Sequence, residues 1–284
     1  MVRSLWTAAS GMTSQQKNVD TISNNLANIN TTGYKKEKAE FKSLLYQTIQ
    51  EQTYDANGQE KPVGAQVGLG VKNSAVTTDH SQGSINPTGN DFDFAIEGRG
   101  YFTVLTSNGE LAYTRNGSFR LASGVGAFTL ADSSGNPLLA TNGMPIAIRE
   151  EDIPFEIDMS EEGSSFNPSK ITVGDNGEIQ YPDTQGVARP IGVQISIVQF
   201  NNPGGLLKVG NSLLKETDAS GMARSESEDP SLTKSKLHQG YLESSNVQAV
   251  DEIIDLIVAQ RAYEMNSKVI TATDEMMQQA NNLR

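Results

Sequence analysis

The sequence predicts an α+β chain in which long N- and C-terminal helices pair as a coiled coil, with an all-β central domain inserted between them. Three observations lead there. Apolar residues recur at steps of three and four at both ends of the chain, the period of a helix with one buried face. Between about Val71 and Phe200 the period becomes two, which is the mark of strands. Five Asn-Gly pairs punctuate the chain, and four of them fall where antiparallel strands should reverse.

The first helix carries Leu5, Ala8, Met12, Gln15, Val19, Ile22, Leu26 and Ile29, four consecutive pairs of heptad core positions with Gln15 the only polar member. Thr31, Thr32 and Gly33 end it, Gly33 being suited to the left-handed residue past a helix end. Phe41, Leu44, Leu45 and Ile49 form a brief apolar patch. From Glu51 to Gly70 the composition turns to Gln, Gly, Asn and Pro, which predicts an extended, irregular segment on a surface, with a disordered loop equally compatible.

Strands follow. Phe92, Phe94 and Ile96 alternate with Asp93 and Ala95, and Ile191, Val193, Ile195 and Ile197 alternate with Gly192, Gln194 and Ser196. Tyr101–Leu105, Leu111–Arg115, Ile146–Ile148, Ile171–Val173 and Glu178–Tyr181 read as further short strands. Asn201-Asn-Pro-Gly-Gly205 closes this region.

The last helix opens at a capping-box pair, Ser245 and Gln248, with Asp251, Glu252 and Asp255 in its first turns, where the helix dipole favours anions. Val247, Val250, Ile254 and Ile257 start its apolar stripe. The stripe resumes one residue later with Val258, Ala262, Met265, Val269, Ala272, Met276, Ala280 and Leu283. Such a helix is roughly 55 Å long at ~1.5 Å per residue and needs a partner along its whole length. The expected division is a helical, coiled-coil assembly domain of residues 1–40 and 241–284, an extended linker of 41–74, and a β-rich domain of 75–240.

The formal charge of -12 disfavours nucleic acid and anionic lipid as partners. The chain has no cysteine, so disulfides, thiol nucleophiles and thiolate metal sites are excluded, which suits an extracytoplasmic life. No apolar run approaches the ~18 residues of a membrane span, so no membrane insertion is expected. Met1-Val-Arg-Ser-Leu-Trp6 lacks the apolar region and cleavage site of a secretory signal. Acidic residues crowd Glu150 to Glu162, and Lys35, Lys36, Lys38 and Lys42 cluster after the first helix; both runs read as solvated surface.

His80 and His238 lie far apart with no motif around either, and no Gly-x-Ser-x-Gly elbow occurs. Gly68-Leu-Gly70 and Gly98-Arg-Gly100 start like dinucleotide loops without continuing as one. Asp175-Asn-Gly177 lacks the later Glu of a calcium loop. The sequence therefore predicts neither an enzyme nor a bound cofactor or metal.

Five stretches carry a resemblance. Ser23-Asn-Asn-Leu-Ala-Asn-Ile-Asn-Thr-Thr-Gly-Tyr-Lys35 resembles the N-terminal signature of bacterial flagellar rod and hook proteins. Asp93-Phe-Ala-Ile-Glu-Gly-Arg-Gly-Tyr-Phe102 and Tyr113-Thr-Arg-Asn-Gly-Ser-Phe119 resemble the central motifs of that family. Gln239-Gly-Tyr-Leu-Glu-Ser-Ser-Asn-Val247 and Gln260-Arg-Ala-Tyr-Glu-Met-Asn-Ser-Lys268 resemble its C-terminal ones. Within the family, Arg3-Ser-Leu-Trp6, Leu44-Leu-Tyr-Gln-Thr-Ile49 and Val67-Gly-Leu-Gly-Val71 look most like the subunits of the distal rod. The acidic run from Glu150 to Glu162 departs from the pattern, in a region the family varies.

The resemblance implies a structural subunit exported unfolded through the flagellar type III apparatus. It would polymerise into a helical tube whose inner wall is the paired terminal helices, with residues 41–74 an inner segment and the β domain outside. The tube would carry motor torque through the periplasm. Its implied partners are further copies of itself, proximal rod and hook subunits, the L- and P-ring proteins and the export apparatus. Leu5, Met12, Val19, Ile22 and Leu26 are expected to meet Ile254, Val258, Met265 and Val269, within or between subunits. Asn24, Asn25 and Asn28, unusual in a helix, would bond to neighbouring subunits or face the channel; a plain exposed face is equally compatible. Two other readings are a hook or proximal-rod component and a peptidoglycan hydrolase.

Overall fold

The computed structural model of the protein describes residues 2–50, 65–123, 127–149, 170–183 and 186–282. The chain divides into two compact units. One comprises Met1–Ala27, Lys36–Asp79 and Val247–Arg284; the other comprises Asn28–Lys35 and His80–Asn246. We call them the helical unit and the β unit. The acidic run of 150–162 lies outside the described residues.

The helical unit holds α1 (Val2–Ala27), four strands, and a long helix, α2 (Ala249–Asn282). No Gly or Pro interrupts α2, and its 34 residues span about 51 Å. It begins at Ala249, three residues past the point a Ser245 cap would set. The strands are β1 (Glu37–Ser43), β2 (Tyr46–Gln50), β3 (Ala65–Gly68) and β4 (Val71–Thr78). β1 pairs antiparallel with β4, from Glu37 opposite Thr78 to Ser43 opposite Val71, and β2 pairs with β3. Residues 65–70, expected as irregular chain, thus belong to paired strands or their junction, while 51–64 lie outside the described residues. The reason is compositional. These strands expose most side chains on both faces, so selection for an apolar alternation, the signal that reveals a strand in sequence, is absent. β4 docks on α1, the Val71 N–H donating to Ser10 Oγ (3.3 Å). Gly70 is required there on two counts: its φ is +113°, and a Cβ would stand 2.2 Å from Ser10 Oγ.

The β unit begins with β5 (Ile85–Pro87), β6 (Phe94–Glu97), β7 (Tyr101–Leu105), β8 (Leu111–Thr114), β9 (Arg120–Ser123), β10 (Phe128–Ala131) and β11 (Ala147–Ile148). It continues with β12 (Thr172–Val173), β13 (Glu178–Pro182), β14 (Ala188–Gln194), β15 (Ile197–Gln199), β16 (Leu207–Gly210) and β17 (Leu213–Lys215). β18 (Arg224–Ser225), β19 (Lys236–Gln239) and β20 (Tyr241–Glu243) complete it. A six-stranded antiparallel sheet has the order β16-β17-β8-β7-β15-β18. Two three-stranded sheets, β12-β13-β14 and β11-β10-β9, and the pairs β19-β6 and β20-β5 surround it. The alternation expected from Ile191 to Ile197 is split, β14 belonging to one sheet and β15 to another.

Central strand β7 is buried on both faces. Phe102 and Val104 enter the main core with Phe94, Phe119, Leu138 and Ile195. Tyr101, on the other side, joins Tyr113, Val198 and Phe200, whose rings meet edge to face at 5.8 and 4.8 Å from Phe200.

The Asn-Gly turns differ from the two-residue hairpins the dipeptide suggests. At Gly109, Gly143 and Gly177 only the glycine has positive φ, and its N–H bonds back three residues, to Thr106, Ala140 and Gly174. Each is a longer turn closed by a left-handed glycine. The tight turn with two left-handed residues occurs instead at Asn211 (φ 50°) and Ser212 (φ 60°), between β16 and β17. Gly117 is not in the left-handed region, and glycine is needed for a different reason: a Cβ would lie 1.6 Å from Phe94 O.

Candidate assembly interface

In the helical unit α1 and α2 pack against each other, but not along the seam read from apolar spacing. Asn25 Nδ2 donates to Glu252 Oε2 at 3.0 Å. A Cβ on Gly11 would come within 2.9–3.1 Å of the Asn266 side chain. Asn25 lies two heptads after Gly11, and Glu252 two heptads before Asn266, so the helices run antiparallel in one register. That register sets Asn18 opposite Ala259 and Ser4 opposite Thr273. Ala259 and Thr273 are 1% and 2% exposed, and Glu252 is 1% exposed. The observed seam of α2 is therefore Glu252, Ala259, Asn266 and Thr273, small or polar residues at a strict seven-residue repeat. On α1 the buried residues are Ala8, Ser14, Thr21, Ile22 and Asn25.

Polar groups fix the register. Asn25, 1% exposed, donates to Glu37 O (2.8 Å) and accepts from Glu37 N (2.8 Å), as a strand residue would, besides its bond to Glu252. Lys36 Nζ pairs with Glu252 Oε1. The bond to Glu252 raises the pKa of Lys36, against the lowering effect of burial. Asn24 Nδ2 reaches Glu37 Oε2, and Asn28 Oδ1 accepts from Thr31 Oγ1. All three asparagines thus bond within their own chain, and Asn25 is a buried anchor rather than an exposed or channel-facing residue.

The expected assembly residues are placed as follows. Ile22 is buried, and Leu5, Met12, Val19 and Leu26 are half-buried on α1. Ile254, Val258, Met265 and Val269 are 54%, 61%, 60% and 45% exposed. At 100° per residue Ile254 stands about 200° round the helix from Glu252 and Met265 about 100° from Asn266, while Val269 and Met276 lie about 60° from Asn266 and Thr273, so the stripe starts opposite the seam and runs round to its flank. About half or more of each of Ile254, Val258, Met265 and Val269 thus stays outside the contact with α1 within the chain. The stripe is continuous: Val250, Ile253, Ile254, Ile257, Val258, Met265, Val269 and Met276 are all exposed along one helix. Scattered exposed apolar residues are ordinary, but a contiguous row of this length marks an interaction surface.

In the β unit a buried ionic cluster ties distant segments together. Glu243 accepts from Lys35 Nζ (2.7 Å), Arg115 Nε (2.5 Å) and Gly83 N (2.8 Å). Arg115 also donates to the carbonyls of Gly100, Ile96 and Gly98. Burial pushes the Glu243 carboxyl up, and Arg115 and Lys35 beside it more than offset this, holding it below the ordinary carboxylate value. Gly33, placed by the sequence at the end of α1, lies six residues beyond it with φ 67°. Its N–H donates to Glu243 O (2.8 Å).

Sequence reasoning missed the seam because a row of Glu, Ala, Asn and Thr carries no apolar signal. The usable signal was the seven-residue recurrence of small or amide residues at 11, 18 and 25. It also missed Arg115 and Glu243, which lie inside quoted motifs but show their pairing only in three dimensions.

Three family profiles match the chain in order. They are described as flagella basal body rod protein over residues 5–35, flagellar hook protein FlgE/F/G D1 domain over 95–181, and flagellar basal body rod FlgEFG protein C-terminal over 238–283. The chain is similar along its full length to the flagellar basal-body rod protein FlgG of Borreliella burgdorferi, at 44% identity over 99% of that relative. It is 40% identical to the Caulobacter vibrioides protein of the same name and 36% identical to that of Bacillus subtilis, over all of each chain. Motif order and full-length identity agree, and the chain belongs to the flagellar basal-body rod protein family.

Proposed function

We propose that the chain is a non-catalytic structural subunit of the distal rod of the flagellar basal body, polymerising through its helical unit into a tubular drive shaft. The observation that carries this is the apolar stripe of α2, Val250 to Met276, which the contact with its own α1 leaves exposed. A dry partner is needed along that row, and a tube of identical subunits supplies one at every step. The intrachain seam of small and polar residues holds the helix pair in register, while the stripe, with Ile254, Val258, Met265 and Val269, meets the half-buried flank of Leu5, Met12, Val19 and Leu26 on a neighbouring copy. In this reading residues 1–40 and 241–284 are the coiled-coil assembly domain, 41–74 an inner segment and 75–240 the outer domain. The assembled tube transmits torque to the hook and forms a channel wall for export. Its partners are proximal rod and hook subunits, the L- and P-ring proteins and the type III export apparatus.

The test is electron microscopy of the purified chain under assembling conditions. Straight tubes of uniform diameter are expected. Curved filaments would redirect the assignment to a hook-like component, and a chain that stays monomeric at every concentration would overturn self-assembly.

A further inference from the structure

The β unit contains a cavity of about 480 Å³ that its structural role does not use. Lys35, Arg99 and Arg115 line it together with His80, Tyr101 and Phe200, and no carboxylate is among the residues that line it. Even with Glu243 pairing Lys35 and Arg115, cations outnumber carboxylates here, in a chain of net charge -12. The ring of Tyr101 brings no negative charge, since burial pushes its hydroxyl up to about 12, and that hydroxyl shares a 2.8 Å hydrogen bond with His80 Nδ1.

Arg99 is set apart from the other two cations. Lys35 and Arg115 are held by Glu243, whereas Arg99 is exposed and makes no hydrogen bond or ion pair among the described residues. Its backbone is fixed from both sides. Gly98 has φ 133°, and a Cβ on it would stand 2.6 Å from Ser235 Oγ; one on Gly100 would stand 2.3 Å from Ile197 Cγ2. Arg115 binds the carbonyls of both glycines, and Gly98 N donates to Gln82 Oε1 (3.1 Å). A rigid loop thus presents one guanidinium at a positive, partly aromatic cavity. A guanidinium fork matches the paired oxygens of a carboxylate or phosphate, and aromatic walls that exclude water strengthen the contact.

We propose that this cavity is a binding site for a small oxyanion of the carboxylate or phosphate class, with Arg99 as its principal ligand. The probes are inorganic phosphate and acetate, each added to the full-length monomer against sodium chloride at matched ionic strength. Saturable rises in the melting temperature of the β unit are expected, with broadening of the phosphate ³¹P resonance in that arm. Saturation by phosphate alone assigns a tetrahedral oxyanion, and saturation by acetate alone assigns a carboxylate. Arg99→Ala is expected to weaken binding by about tenfold or more, with the unliganded melting temperature unchanged because the side chain is exposed, and Arg99→Lys to retain part of it. Equal effects of chloride, phosphate and acetate would overturn the proposal, as would undiminished binding by Arg99→Ala.

Discussion

Replacing Glu243 by Ala is the sharpest single perturbation of the β unit. The side chains of Glu243, Arg115 and Lys35 are 1%, 5% and 9% exposed. Removing the carboxylate strands two buried cations and deprives Gly83 N of its acceptor. Breaking a buried pair from one side costs about 3–5 kcal/mol, because the remaining charge is left without compensation. In a domain of this size 1 kcal/mol moves the melting temperature by about 2–4 °C, so the transition should fall by about 6–20 °C. Glu243→Gln keeps the shape and an acceptor oxygen, and should fall less. The pH dependence separates charge from packing. The folded pKa of Glu243 is lowered, so its stabilisation is complete above the unfolded value, about 4.3–4.5, and fades as pH falls through the folded one. Differential scanning calorimetry should show the full gap between wild type and Glu243→Gln at pH 7, narrowing below about pH 4.5. A fall of under about 2 °C for Glu243→Ala at pH 7 would refute the reasoning. So would a Gln gap of the same size at pH 3.5.

Two further predictions concern local geometry. Asn25→Ala removes both hydrogen bonds to the backbone of Glu37 and the bond to Glu252; after the gain in helix propensity it should destabilise the helical unit by about 1–3 kcal/mol, read from far-UV circular dichroism melting. An unchanged helical transition would mean that the amide does not anchor α1. Ser212→Gly relieves a left-handed residue at φ 60° and should stabilise the β unit by about 0.5–1 kcal/mol despite the greater freedom of the unfolded chain; a lower melting temperature would contradict this.

Much of the fold was legible because its signals are local. The strands around Phe94, Tyr101, Leu111 and Glu178 show plain alternation or apolar runs, and the structure has them within a residue or two. The helices show a helical period, and no glycine or proline breaks the second. What escaped reading depends on contacts distant in sequence. β1 to β4 leave most of their side chains exposed, so their partners, not their patterns, make them strands. Asn108-Gly109, Asn142-Gly143 and Asn176-Gly177 are turns, as their composition suggests, whereas Asn116-Gly117 is not; whether Asn or only Gly takes a positive φ is decided by the strands they join. The helix seam is silent in sequence for a physical reason: apolar spacing leaves open whether its row is buried within or between subunits, and polar and small residues can pair helices closely when each polar atom is satisfied, as Asn25 and Glu252 are by Glu37 and Lys36.

The central claim, that the two faces of α2 serve different contacts, is tested most directly by comparing Ile254→Asp and Met265→Asp with Ala259→Leu. Ile254 and Met265 are 54% and 60% exposed in the free chain. Each aspartate should leave the monomer's melting within about 0.5 kcal/mol of wild type. Each should nonetheless abolish tubes, since an unpaired charge in a dry contact costs several kcal/mol at every subunit. Ala259 is 1% exposed, and Ala259→Leu should destabilise the helical unit by about 1–3 kcal/mol in the monomer itself. Normal tubes from either aspartate variant, or monomers of Ile254→Asp as destabilised as Ala259→Leu, would show that the apolar stripe is not the surface on which subunits meet.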